Sequence, residues 1–186
     1  MENRILLVDD ETNVLTAISR ALFDEPFEII TATSAEKALE MLDSNSFKVV
    51  ISDERMPGMQ GSEFLEQVRQ LYPQTIRIML TGHATIEAAM AAVNKGEIYR
   101  FFSKPWDDND LKFAIRSAIE KFDLEAENRS LLATIRQQSL EIKILEKRYP
   151  GIGRVEKDHT GAFVLPDIAE DELRDMMQAC EKENQR

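Results

Sequence analysis

Within the first 105 positions, five residues carry side chains suited to metal or phosphoryl chemistry, and each stands at or just past the end of a short apolar run. Asp9 and Asp10 follow the run 5–8, Asp53 the run 47–51, Thr81 the run 76–80, and Lys104 the run 98–102. Three carboxylates gathered in one place repel one another, an arrangement that makes sense when a hard cation neutralises them. Mg2+ prefers oxygen ligands, takes one or two carboxylates and fills its sphere with waters and phosphate oxygens. An aspartate can also act as the nucleophile towards phosphorus. A lysine point charge and a hydroxyl would then hold the phosphoryl oxygens, because phosphoryl transfer asks mainly for positioning and charge neutralisation. Each piece alone has an ordinary structural use: an Asp pair can cap a helix, a strand-end Thr can be structural, and a Lys before a Pro can be a solvated turn residue. The weight lies in all five falling together.

The elements that would position them alternate regularly. Apolar strands are expected at 5–8, 27–30, 47–51, 76–80 and 98–102. Between them come helical stripes through Val14, Leu15, Ile18 and Leu22, through Ala35, Ala38, Leu39 and Leu42, through Phe64, Leu65, Val68 and Leu71, and an Ala-rich helix over 86–93; Leu111 opens a further helix. Unbroken apolar strands alternating with helices predict a parallel sheet covered on both faces. The fold class is therefore α/β, a (βα)5 doubly wound sheet of flavodoxin-like order 2-1-3-4-5 with right-handed crossovers. Ligands of such sheets sit beyond the carboxyl ends of the strands, where the five residues fall.

Composition narrows the function classes. With 23 Lys and Arg against 34 Asp and Glu, the net charge is −11, spread as −6 over residues 1–104 and −5 over 105–186. Neither half has the positive excess that phosphate-backbone binding relies on, so no nucleic-acid partner is expected. No apolar run approaches the roughly 18 residues of a membrane span. The residues ahead of Asp9 do not read as a signal peptide. One cysteine, Cys180, on an apolar stripe, reads as a small buried hydrophobe in a reducing, cytoplasmic setting.

The segments Ile5-Leu6-Leu7-Val8-Asp9-Asp10-Glu11, Ile51-Ser52-Asp53-Glu54-Arg55-Met56-Pro57-Gly58-Met59, Leu80-Thr81-Gly82-His83 and Ser103-Lys104-Pro105 closely resemble the receiver domain of bacterial two-component response regulators, over residues 1–122. The resemblance implies Asp53 as the phosphorylation site, fed by the phosphohistidine of a sensor histidine kinase. It implies a Mg2+ held by Asp10 directly, by Asp9 through water, by Asp53 and by the backbone carbonyl of Arg55. Thr81 and Lys104 would hold the phosphoryl group, with a cis peptide before Pro105. Phe101 takes the place of the family's aromatic switch residue, where Tyr is frequent. Arg55 and His83 would flank the phosphoryl group. The chain would then be a signalling switch rather than an enzyme, catalysing only its own phosphorylation and dephosphorylation. The alternative is the receiver portion of a regulated enzyme or of a transcription factor whose output module is absent from this chain.

After Trp106 the pattern changes. Residues 107–148 contain no Pro or Gly, which permits one helix of roughly 60 Å. Leu124, Asn128, Leu131, Ile135, Gln138, Ile142, Leu145 and Tyr149 recur at alternating spacings of four and three, a heptad seam that predicts a parallel homodimer over 124–149. Pro150, Gly151 and Gly153 end the helix. Residues 150–186 read as a small hairpin followed by an amphipathic helix through Ala169, Leu173, Met176 and Cys180, too small to form a core alone.

Overall fold

The computed structural model describes residues 3–82, 98–149, 156–157 and 163–164. The expected helix over 86–93, His83, Cys180 and the last amphipathic helix lie outside these residues.

The first unit spans residues 1–130. It holds β1 (Arg4–Val8), α1 (Thr12–Ala21), β2 (Glu28–Ala32), α2 (Ala35–Ser44), β3 (Val49–Asp53), α3 (Gly61–Leu71), β4 (Ile76–Thr81), β5 (Arg100–Ser103) and the start of α4 (Asp108–Arg148). The five strands form one parallel sheet in the order β2-β1-β3-β4-β5, as the alternation predicts. Side chains of a strand point alternately to the two faces, and β1 divides accordingly. Ile5 and Leu7 pack on one side with Leu15 and Ile18 of α1 and Leu111, Ile115 and Phe122 of α4. Leu6 and Val8 pack on the other with Ala38 and Leu42 of α2 and Phe64, Leu65 and Val68 of α3. Burying each such aliphatic side chain contributes about 1.5–3 kcal/mol, so both faces of the sheet are anchored.

The ladder runs further along the chain than the apolar pattern does. β2 occupies Glu28–Ala32 instead of 27–30, because Phe27 N–H turns back to the Glu25 carbonyl (2.8 Å) after Pro26. β3 ends on Asp53 and β4 on Thr81, two polar residues held in the sheet by pairing. The helix starts use local chemistry. The Ser34 hydroxyl accepts from Lys37 N–H at 3.3 Å, and Asp107 Oδ1 accepts from the N–H groups of Asn109 (2.8 Å) and Asp110 (3.1 Å), satisfying donors that a helix start leaves open.

The second unit, residues 131–186, holds the rest of α4 and the antiparallel pair β6 (Glu156–Lys157) and β7 (Phe163–Val164). Glu156 pairs with Val164 and Lys157 with Phe163. Along α4, Leu131, Ile135, Ile142 and Leu145 are 46–57% exposed. No described helix is long and apolar enough to cross a membrane.

Candidate functional site

The carboxyl ends of β1, β3, β4 and β5 bring four of the five singled-out side chains to one edge. Asp9 is one residue past β1, and its N–H still bonds the Ala32 carbonyl of β2 at 3.2 Å. It is 1% exposed. Its Oδ1 accepts from Glu11 N–H at 2.9 Å and its Oδ2 from Lys104 Nζ at 2.8 Å. Asp53 closes β3. Its Oδ1 meets Lys104 Nζ at 2.6 Å, and its Oδ2 accepts from Arg55 N–H at 2.6 Å. Thr81 closes β4 and is buried; its carbonyl accepts from Lys104 N–H at 2.7 Å, fixing the start of the loop that carries the ammonium. The Lys104–Pro105 peptide is cis.

The electrostatics follow from this packing. Burial raises the Asp9 carboxyl above its ordinary value, and the bonds from Lys104 and Glu11 oppose that rise without cancelling it. For Lys104 burial works against the ammonium, but Asp53 and Asp9 outweigh it and the pKa lies above the ordinary lysine value. One ammonium thus faces two buried carboxylates, with exposed Asp10 beside them. Charge is left over on the negative side.

The expected metal ligands do not converge as a ready chelate. Among the described residues no three acidic, His or Cys side chains stand within reach of one ion. Asp9 and Asp53 meet through Lys104, whereas Asp10 and Arg55 are solvent-facing. The donors still fit Mg2+. They are hard oxygens, few in number, carrying one more buried negative charge than Lys104 neutralises, and Mg2+ commonly takes one or two carboxylates and keeps its waters. Phe101, on β5, is 42% exposed.

Gly61 was not apparent as a site residue. It opens α3 with its N–H on the Glu54 carbonyl at 2.9 Å, and a Cβ there would run into the Asp53 carbonyl oxygen and the Glu54 backbone. Its signal in the sequence is only a glycine eight residues past Asp53. Gly58 has φ 83°, the left-handed region that glycine adopts without strain.

A family model described as the response regulator receiver domain matches residues 5–116. The hydrogenase transcriptional regulatory protein HoxA of Cupriavidus necator is 38% identical over 123 residues, covering 66% of this chain and 25% of that protein. The C4-dicarboxylate transport transcriptional regulatory protein DctD of Rhizobium meliloti is 36% identical over 127 residues, covering 68% of this chain and 27% of its own. Among solved structures, the signal receiver domain of an HD domain-containing protein from Pseudomonas fluorescens Pf-5 superposes with a TM-score of 0.65 at 40% identity, over 68% of this chain and 93% of that one. The chain spans about a quarter of the length of these two curated relatives.

Proposed function

The chain belongs to the response regulator receiver family, and on that premise we propose that Asp53 accepts a phosphoryl group from the phosphohistidine of a sensor histidine kinase. Asp53 attacks phosphorus with one carboxylate oxygen, the phosphorus–nitrogen bond breaks, and its electron pair returns to the imidazole. The product is an aspartyl phosphate. Lys104 stands ready to pair with a phosphoryl oxygen, and Thr81, at the neighbouring strand end, is the hydroxyl closest in role. Asp9, Asp10, Asp53 and the Arg55 carbonyl are the groups that would hold Mg2+, which supplies charge neutralisation when bound. Arg55 and, by the resemblance alone, His83 would flank the phosphoryl group, and Phe101 would be the aromatic that responds.

The observation that carries this reading is the Lys104 ammonium, which gathers Asp9 and Asp53 from residues 95 and 51 positions away along the chain onto one nitrogen, 2.8 and 2.6 Å off. Surface ion pairs are common and weak, but a lysine shared by two buried strand-end carboxylates is a charge arrangement with little structural need. We further read residues 124–149 as a pairing helix, supported by the exposure of Leu124, Leu131, Ile135, Ile142, Leu145 and Tyr149 at 42–66%. The switch would then act through protein–protein contact in a homodimer. Transcriptional regulation is named for relatives of which this chain matches about a quarter, and the acidic balance of this chain does not favour phosphate-backbone contact.

The test is phosphoryl uptake from a small phosphodonor in the presence of Mg2+, read by intact mass. The parent chain gains one phosphoryl group, and Asp53→Asn gains none. Uptake by Asp53→Asn at the parent rate would reject the assignment.

A further inference from the structure

The edge of the sheet opposite Asp53 carries a second ammonium–carboxylate tie that phosphoryl chemistry does not use. Lys48 lies immediately before β3. Its N–H donates to the Arg4 carbonyl (3.0 Å) and its carbonyl accepts from Ile76 N–H (2.9 Å), which fixes the residue between β1 and β4. The side chain is 5% exposed. Nζ donates to both oxygens of Asp123, at 2.6 and 2.8 Å, and to Asn3 Oδ1 at 2.8 Å. It also stands 5.9 Å from the centre of the Phe122 ring, within cation–π range. An ammonium has three donors and no acceptor, so these partners satisfy it. A buried ammonium is tolerated only when paired and hydrogen-bonded in this way.

The position of the partner matters. Phe122 is the last buried residue of α4 among the described residues, and Asp123 follows it. Lys48 therefore grips the helix at the turn where its buried face ends. A weaker exposed contact follows, from Arg129 Nη2 to Gln74 Oε1 at 3.2 Å. Strand β3 and helix α4 are thus laced at both ends with opposite polarity. At one end the carboxylate is on the strand, Asp53, and the ammonium on the loop leading to the helix, Lys104. At the other the ammonium is on the strand side, Lys48, and the carboxylate on the helix, Asp123. The two ties are roughly 17 Å apart at about 3.3 Å per strand residue.

We propose that Lys48 is a positioning residue for signal transmission: it fixes the direction in which α4 leaves the sheet, so that a change of partners at Lys104 is delivered as a tilt of the helix about Asp123. This rests on the reading of Asp53 as phosphoacceptor and of α4 as the output element. A helix free at its far end could absorb such a change by local loosening. A helix pinned there passes such a change on to the segment beyond the pin instead of dissipating it.

The test uses the full chain with Cys180→Ser and nitroxide labels at Glu63→Cys and Gln137→Cys, labelled chains being diluted with unlabelled chain so that only distances within one chain are read. The parent gives a narrow distance distribution that shifts on adding beryllofluoride, a phosphoryl mimic. Lys48→Met keeps the length of the side chain without its charge. It takes up phosphate at the parent rate, yet its distribution is broad at rest and the shift is lost. Asp123→Asn broadens it less, and the double variant is no broader than Lys48→Met. Should Lys48→Met fail to unfold cooperatively, Asp123→Asn decides. Parent width and parent shift in Lys48→Met would overturn the proposal, as would a narrow parent distribution that beryllofluoride leaves in place. Absence of phosphoryl uptake by the parent would instead reject the function of Asp53, while the resting widths still decide whether Lys48 anchors the helix.

Discussion

At the scale of single residues, the site depends on backbone placement as much as on the charged groups. Asp53 aims its two oxygens at different partners, Lys104 Nζ and Arg55 N–H, and both contacts are 2.6 Å. A shift of the Asp53 backbone would disturb both at once. Gly61 is where that backbone is most vulnerable, since a Cβ has no room against the Asp53 carbonyl. Gly61→Ala is expected to destabilise the fold by about 1–3 kcal/mol, the usual cost of overpacking a buried position. It should also slow phosphoryl uptake, whereas Gly82→Ala, where a Cβ meets none of the described residues within 4 Å, should leave stability near the parent value. Chemical denaturation and the uptake assay measure both; equal behaviour of the two alanine variants would contradict the placement argument.

At the scale of elements, α4 is locked to the turn after α1 by two ion pairs. Arg116 bonds Glu25 through Nε (2.8 Å) and Nη2 (2.6 Å), and Lys112 bonds Asp24 at 2.7 Å. The Glu25 side chain is 2% exposed. Its hydrogen bonds from Arg116 hold its carboxyl below the ordinary value of 4.5. A carboxylate whose pKa is depressed in the folded state stabilises fully above its unfolded pKa, and that contribution fades as pH falls through the folded value. Glu25→Gln should therefore melt below the parent at neutral pH, with the gap closing once pH drops beneath about 4.5; a gap of constant size across that range would contradict the linkage. These elements also show what a sequence displays. The order 2-1-3-4-5 and the strand-end placement of Asp9, Asp53, Thr81 and Lys104 were legible because apolar runs of period-free character mark buried parallel strands. The exact ends of β3 and β4 were not, because Asp53 and Thr81 break the apolar pattern while staying in the ladder. Lys48 and Asp123 were not legible either. They are 75 residues apart, and nothing local distinguishes a lysine that will be buried from one on a surface.

At the scale of the whole molecule, the exposed apolar residues of α4 are the surface on which the proposed pairing would act. Leu131 and Ile135 lie at successive seam positions and are 57% and 56% exposed. Leu131→Lys with Ile135→Lys should convert a dimer to a monomer in light scattering without altering phosphoryl uptake, since neither residue belongs to the sheet; an unchanged mass would reject the seam. The family places the phosphoryl group on one aspartate, and Asp9, Asp10 and Asp53 are the candidates in this chain. The decisive measurement is therefore the location of that group. The phosphorylated chain is trapped by reduction, which converts an aspartyl phosphate to homoserine, then digested and sequenced by mass spectrometry. Homoserine at position 53 alone is the expected result. Homoserine at position 9 or 10, or a phosphoryl group held elsewhere in the chain, would contradict the account.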